Sequence, residues 1–197
     1  MGQKPKPVNK HFFDEESREM MYILGISYAI FIPEREGNRN TWTTSNQDLL
    51  EIVKKSIESG AKIGRPNLVG SRNLQFRNHY LHDKLIEKGC GYDKSERRFP
   101  NIDEAYLDHF VRGFFDGQVS ISANNFTSIY YNSLLFLQEL YLTLVSHAGV
   151  KGARKITKSP LHLTSKDIIV VHDFIYRDWN YIRKRGLYLP SKKERFT

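Results

Sequence analysis

Asn73, Gln75 and Arg77 alternate with Leu74 and Phe76, a period of two that puts three hydrogen-bonding side chains on one face of a strand and two apolar ones on the other. Gln pairs with adenine and Arg with guanine through paired hydrogen bonds in the DNA major groove, each pair worth about 1–3 kcal/mol of discrimination. The pattern therefore has the chemistry of sequence readout, although an ordinary solvated sheet face would look the same. Residues 62–66 and 70–77 read together as a ribbon, to which Lys62, Arg65 and Arg72 add positive charge. A second hairpin, turning at Gly37-Asn38, would carry Arg35 and Arg39 to base edges, with Glu34 and Glu36 opposing phosphates or accepting from cytosine amino groups. Further along, Ser120, Ser122 and Asn124 form an uncharged set able to donate and accept, and Lys151, Arg154, Lys155 and Lys158 make the densest basic stretch. Four cations in one ribbon favour phosphate contact; a solubilising hairpin is the plainer reading.

Other chemistries lack their residues. His79, His82, His109, His147, His162 and His172 are scattered without a repeated ligand spacing, and no phosphate-binding glycine loop, nucleophile elbow or paired-carboxylate motif stands out. Cys90, the single cysteine, reads as a packing residue and cannot form an intramolecular disulfide, which suits a reducing compartment. With a net charge of +8 and 40% hydrophobic residues over 197 positions, the chain suits a polyanionic partner and a sizeable core. No apolar run approaches the ~20 residues that span a bilayer, and the first residues lack a signal peptide's apolar segment. A cytoplasmic, nucleoid-associated protein with no membrane partner is expected.

The elements that must hold these residues follow from caps and periodicity. Helices are expected from about 14–17 to 29, at 49–59 behind a cap in 45–48, at 80–88 before Gly89, at 134–147 between Ser133 and Gly149, and at 168–176 behind Ser165 or Asp167. Pro33 marks an edge strand or an irregularity, residues 160–164 a further strand, and Trp42 a core position. Residues 1–12, rich in Lys and Pro, read as a disordered basic arm that either follows phosphates or stays solvated. Gly113 and Gly117 lie one turn apart at the end of an apolar helix that runs straight into a strand, and Gly25 and Ala29 repeat the arrangement about half a chain earlier. A glycine costs a helix roughly 1 kcal/mol relative to alanine, a cost tolerated where another backbone must come close. The two stretches read as copies of an internal repeat, packed glycine face to glycine face across a pseudo-two-fold axis.

Leu24-Gly25-Ile26-Ser27-Tyr28-Ala29-Ile30-Phe31 and Phe110-Val111-Arg112-Gly113-Phe114-Phe115-Asp116-Gly117-Gln118-Val119-Ser120-Ile121 resemble the signature helices of LAGLIDADG homing endonucleases. Lys94-Ser95 followed by Arg98-Phe99-Pro100-Asn101-Ile102 is similar to the family's K-S-x-x-x-x-F-P-x-I segment, and Leu187-Tyr188-Leu189 to its terminal L-Y-L stretch, so the resemblance spans roughly residues 13–197. It implies an α+β fold of two pseudo-symmetric αββαββα halves, 13–100 and 101–197, joined through Gly25, Ala29, Gly113 and Gly117. Their antiparallel sheets would form a saddle on double-stranded DNA, and a monomer built this way need not see a palindrome.

In that family each signature helix ends in an acid five residues after its glycine, and the two acids hold divalent metal. Here those positions are Ile30 and Gln118, and the glycines that should follow are Phe31 and Val119. A magnesium-type ion wants hard oxygen ligands, preferably carboxylates, and metal-assisted phosphodiester cleavage depends on that ion. A hydrocarbon and a neutral amide are no substitute. Asp116 matches the family's inner acid, which is not a ligand. The resemblance with these departures implies a DNA-binding protein of mobile-element or prophage origin, without a cofactor, that has lost cleavage and acts by occupying its site as a transcriptional repressor or regulator. Three alternatives stay open: an active Mg-dependent endonuclease using other acids such as Glu34, Glu36 or Asp116, an RNA maturase that binds structured RNA to assist intron splicing, and a protein-interaction module whose sheet surface binds an acidic partner.

Overall fold

A computed structural model describes residues 7–34, 36, 38–121, 127–151 and 156–194, without the side chains of Ser120 and Ile121. Two helices, α1 (Arg18–Ile30) and α4 (Glu104–Gln118), run through its centre. Ser17 starts α1 by accepting from the Met20 N–H at 3.1 Å, and Asp103 starts α4 by accepting from the Ala105 N–H at 2.8 Å, each satisfying a donor that the helix leaves free. From Met20 to Ile30 every residue of α1 is buried, as is every residue of α4 from Leu107 to Asp116. Helices covered on all sides are core elements.

The contact between them is backbone on backbone. A methyl group at Gly25 would stand 2.1 Å from the Phe110 carbonyl oxygen, and one at Gly113 would stand 2.0 Å from that of Tyr22. At Gly117 it would meet the Ala29 methyl at 2.5 Å. Only hydrogen fits at the first two positions.

Each central helix feeds a three-stranded antiparallel sheet. After α1 come β1 (Phe31–Glu34), β2 (Arg39–Thr44) and β3 (Arg72–Arg77) in that spatial order, with α2 (Gln47–Ser56) between β2 and β3 and α3 (His79–Glu87) after β3 in the chain. The sheet packs inward through Trp42 and Leu74, which face each other in the β2–β3 register. The Trp42 indole donates to Ser27 Oγ at 2.9 Å, and that hydroxyl donates to the Ile23 carbonyl, which fastens the sheet to α1. Pro33 lies on β1, an edge strand, where a missing N–H costs nothing. After α4 come β4 (Ser120–Ile121), β5 (Thr127–Ile129) and β6 (Leu161–Leu163), with α5 (Leu134–Thr143) before β6 and α6 (Ser165–Ile175), α7 (Trp179–Arg185) and α8 (Pro190–Lys193) after it. Among the described residues no helix is long and apolar enough to cross a membrane.

Several expectations need correction. Among the described residues the order helix-strand-strand-helix-strand-helix occurs twice, so each half shows three strands there where αββαββα requires four. The missing partner of β3 is reduced to one bridge between Ile63 and Leu74, because Pro66 has no N–H to extend a ladder. The basic ribbon expected at 151–158 has no strand at its described residues, and 152–155 lie outside them. Residues 7–12 are not free: Asn9 and Gly60 N–H groups bond to the Ile57 and Pro7 carbonyls at 2.9 and 2.8 Å, and Phe13 is wholly buried. α2 stops at Ser56, followed by Glu58 at φ 51°. The 134–147 helix is α-helical only to Thr143 and closes with a π-helical turn, Leu144–Ala148. Thr164, not Ser165 or Asp167, caps α6, with Asp167 completing a capping box.

One charged group sits deep in this core. Arg112 on α4 is wholly buried; it donates to the Leu187 carbonyl at 3.0 Å, the Ile175 carbonyl at 2.9 Å and His109 Nδ1 at 2.8 Å. Its guanidinium lies 4.8 Å from the centre of the Tyr22 ring, whose hydroxyl donates to Asp116 at 2.6 Å. Burial, with the Arg112 charge beside it, holds His109 down to about 3. Burial pushes Asp116 up to about 6.

Two outcomes follow. Gly113→Val must drive the helices apart and is expected to lose about 3 kcal/mol in urea denaturation, whereas Gly117→Ala, which meets a methyl, should lose less. For pH, the unfolded chain protonates His109 below its ordinary 6.5 while the folded chain refuses the proton until about 3, so stability falls with acidification across that window. Asp116 acts oppositely: between about 6 and its ordinary 3.8 the folded chain holds the proton better and gains stability as pH drops. His109→Gln, which keeps an acceptor for Arg112, should therefore flatten the decline of the urea midpoint below pH ~6.5, and Asp116→Asn should steepen it; identical slopes in all three proteins would contradict this assignment.

Candidate nucleic-acid interface

Strand alternation decides which side chains leave the core. On β3, Leu74 and Phe76 are buried, Asn73 and Arg77 exposed and Gln75 half-buried. Across the register, Asn73 faces Thr43, Gln75 faces Thr41 and Arg77 faces Arg39. These six share the polar face of the sheet, with Thr41 buried beneath the Gln75 amide and the other five at least partly exposed. Gln75 donates to Thr41 Oγ1 at 3.1 Å, which orients its amide. Asn73 is set by Gly64: a methyl there would lie 2.4 Å from Asn73 Oδ1, so the glycine makes room for that carboxamide. Arg39 is ion-paired with Glu34 at 3.1 Å, both partly exposed, a pairing worth little at a surface and open to exchange for a phosphate.

The remaining expected residues fall in different places. Lys62, Arg65, Lys151 and Lys158 are exposed. Arg72 has the parity of the inward residues and donates to the Gly64 carbonyl at 3.3 Å, so it closes the loop beside the sheet instead of joining its outer face. Ser120 lies on β4, opposite Ser128; its side chain lies outside the described residues, as do Arg35, Ser122, Asn124, Arg154 and Lys155. In the second sheet Leu161 and Leu163 turn inward and His162 outward, where its Nδ1 lies 3.0 Å from Ser128 Oγ. His162, which sequence alone leaves among the scattered histidines, is marked as outward by the Leu161-His162-Leu163 alternation. Thr43 and Ser128, also on the polar faces, carry no such signal in the sequence.

Between the sheets lie the two helix-to-strand junctions. Ile30 is the last residue of α1 and is buried, with Cγ2 3.6 Å from where a Gly117 methyl would sit. Gln118 is the last residue of α4, and its amide donates to the Tyr130 carbonyl. Cations cap both helix ends. Lys94 Nζ donates to the Ala29 carbonyl at 2.7 Å, and Arg97 donates to the Tyr28 and Phe31 carbonyls at 2.9 and 3.2 Å. Lys192 donates to the Phe115 carbonyl at 3.3 Å and to that of Val119. Positive charge is favoured where a helix exposes its last carbonyls. Burial holds the Lys94 ammonium down to about 8. Asp116, bonded to Tyr22, faces the helix interface. Among the described residues no group of three or more His, Cys, Asp or Glu could hold a metal ion, and a hydrocarbon, an engaged amide and two ammonium groups do not fit a divalent cation.

No family model matches the chain. It is 26% identical over 161 residues to an uncharacterized protein of Methanocaldococcus jannaschii, covering 76% of this chain and 58% of that protein. The chain thus spans a little over half the length of this curated relative. Among solved structures it is similar to the homing endonuclease I-WcaI bound to its DNA recognition sequence, with a TM-score of 0.53 and 10% identity over 95% of this chain and 91% of that one. The fold resembles that of a homing endonuclease. At this identity the likeness concerns the mixed helix and antiparallel-sheet architecture alone.

Lys94→Met and Lys192→Met are each expected to destabilise the chain by about 1–3 kcal/mol, the worth of a charged hydrogen bond, read as a shift in urea midpoint.

Proposed function

We propose that this chain is a sequence-specific double-stranded DNA-binding protein of LAGLIDADG homing-endonuclease descent that has lost cleavage and acts as a monomer by occupying its site, as a transcriptional repressor or regulator. The observation that carries this reading is the donor set at the helix-to-strand junctions. Ile30 offers no ligand atom, Gln118 spends its amide N–H on Tyr130, and Lys94 and Lys192 bring ammonium groups to the carbonyls there. On this reading residues 13–100 and 101–197 are pseudo-symmetric halves about the α1–α4 contact, and each sheet lies along a major groove.

The roles divide by chemistry. Asn73, Gln75 and Arg77 would read base edges, with Thr41 holding the Gln75 amide. Exposed Lys62, Arg65, Lys151 and Lys158 would neutralise phosphates, which supplies affinity without sequence information. The DNA-bound state of the structural neighbour supports duplex DNA as the ligand class. That neighbour is also a nuclease by name, which keeps metal-dependent cleavage as the second reading.

Selection of duplexes from a random pool in EDTA, followed by incubation of the selected duplex with Mg²⁺, tests both readings together. Enrichment of one asymmetric site that stays uncut is expected; double-strand cutting, or a preference for structured RNA, would overturn the proposal. On the selected site, Gln75→Ala and Arg77→Ala should each relax specificity at one position by about 1–3 kcal/mol, whereas Lys62→Ala should weaken all sequences alike and lower the salt slope by about 0.9.

A further inference from the structure

The loop that leads into β3 ends in a tightly built turn with an unusual tip. The Asn67 N–H donates to the Ser71 carbonyl at 2.8 Å, and the Gly70 N–H to the Asn67 carbonyl at 2.9 Å. Asn67 Oδ1 accepts from the Val69 and Ser71 N–H groups at 3.1 and 2.9 Å. Gly70 takes the left-handed conformation, φ +80°, that closes the turn. On the tip Leu68 is 106% exposed and Val69 80% exposed. Single exposed apolar residues are ordinary, but here two neighbours stand out in solvent on a turn held by four hydrogen bonds of Asn67. The fold gains nothing from their side chains.

Their surroundings name the partner. Between Ser59 and His82 the chain has no acidic residue, while Lys62, Arg65, Arg72 and Arg77 flank the turn. The turn is also continuous with the polar face of the sheet: the Gly64 N–H donates to the Asn73 carbonyl at 2.8 Å at its base, and β3 begins two residues after Gly70. In a major groove the exposed apolar group is the C5 methyl of thymine. We infer that Leu68 and Val69 pack on thymine methyl groups at an outer position of the bound duplex, so that an apolar contact adds a thymine preference beyond the hydrogen-bonding face. This rests on the DNA-binding reading proposed above.

Deoxyuridine differs from thymidine by that methyl alone, which isolates the contact. On the duplex selected in EDTA, replacing the outer thymines one at a time is expected to weaken binding about fourfold at one or two positions, the worth of one buried methyl. Leu68→Ser/Val69→Ser, which alters only exposed side chains, should keep the wild-type urea midpoint, bind the site more weakly and no longer distinguish deoxyuridine from thymidine. A defined footprint with no deoxyuridine effect, or a site without outer thymines, overturns this inference and leaves the DNA-binding reading intact. Failure to select any duplex removes both. Binding to anionic phospholipid vesicles that the double variant abolishes, with no change on DNA, would assign the tip to a lipid surface instead.

Discussion

Two helices touching through their backbones set the terms for everything else in this protein. With Gly25 against the Phe110 carbonyl and Gly113 against the Tyr22 carbonyl, no side chain separates α1 from α4 at these two points, and their distance there is fixed by van der Waals contact. The side chains displaced from the seam pack outward instead. Tyr28, Phe110, Phe114 and Phe136 form linked ring contacts on one flank. On another, Arg112 ties α4 to the carbonyls of Ile175 and Leu187. A buried guanidinium is weak evidence for net stability, but its fixed fork lets one residue hold two later segments against the centre.

The same geometry explains the electrostatics of the candidate site. Two helices that end side by side bring two sets of uncapped carbonyls together, and that negative region must be answered by cations. Metal held by carboxylates is one answer. Lys94, Arg97 and Lys192 are another, using side chains that come from later in the chain and bond the carbonyls directly. Tyr131 adds its hydroxyl to the Tyr28 carbonyl at 3.0 Å. Three cationic side chains therefore answer the helix-end carbonyls, a suitable arrangement for a surface proposed to lie over phosphates.

Features set by local chemistry were legible in the sequence. Ser17 and Ser133 cap helices, Gly89 and Gly149 follow them with positive φ, and Leu74 and Phe76 turn inward while Asn73 and Arg77 turn out. The close approach at Gly25 and Gly113 was legible because few other arrangements tolerate glycine inside an apolar helix. What could not be read depends on distant partners. Arg112 looks like a surface residue until the carbonyls of Ile175 and Leu187 are placed beside it. The seating of residues 7–13 needs the loop after α2, and the C-terminal helices α7 and α8 are too short to show a period. Charge alone makes Arg72 a DNA-contacting residue, but its parity with Leu74 already sets it on the other face from Asn73, Gln75 and Arg77.

A seam closed by backbone at Gly25 and Gly113 also behaves as a ruler. Sliding or rotating α1 along α4 would bring Cα and carbonyl atoms into collision at Gly25 and Gly113, so the two sheets cannot adjust their separation independently of the helices that feed them. Duplex DNA advances one turn in about 10–10.5 base pairs. On the proposed reading, one extra base pair at the centre of a bipartite site would turn its far half by roughly 35°, a mismatch that the nucleic acid, not the protein, would have to absorb by twisting.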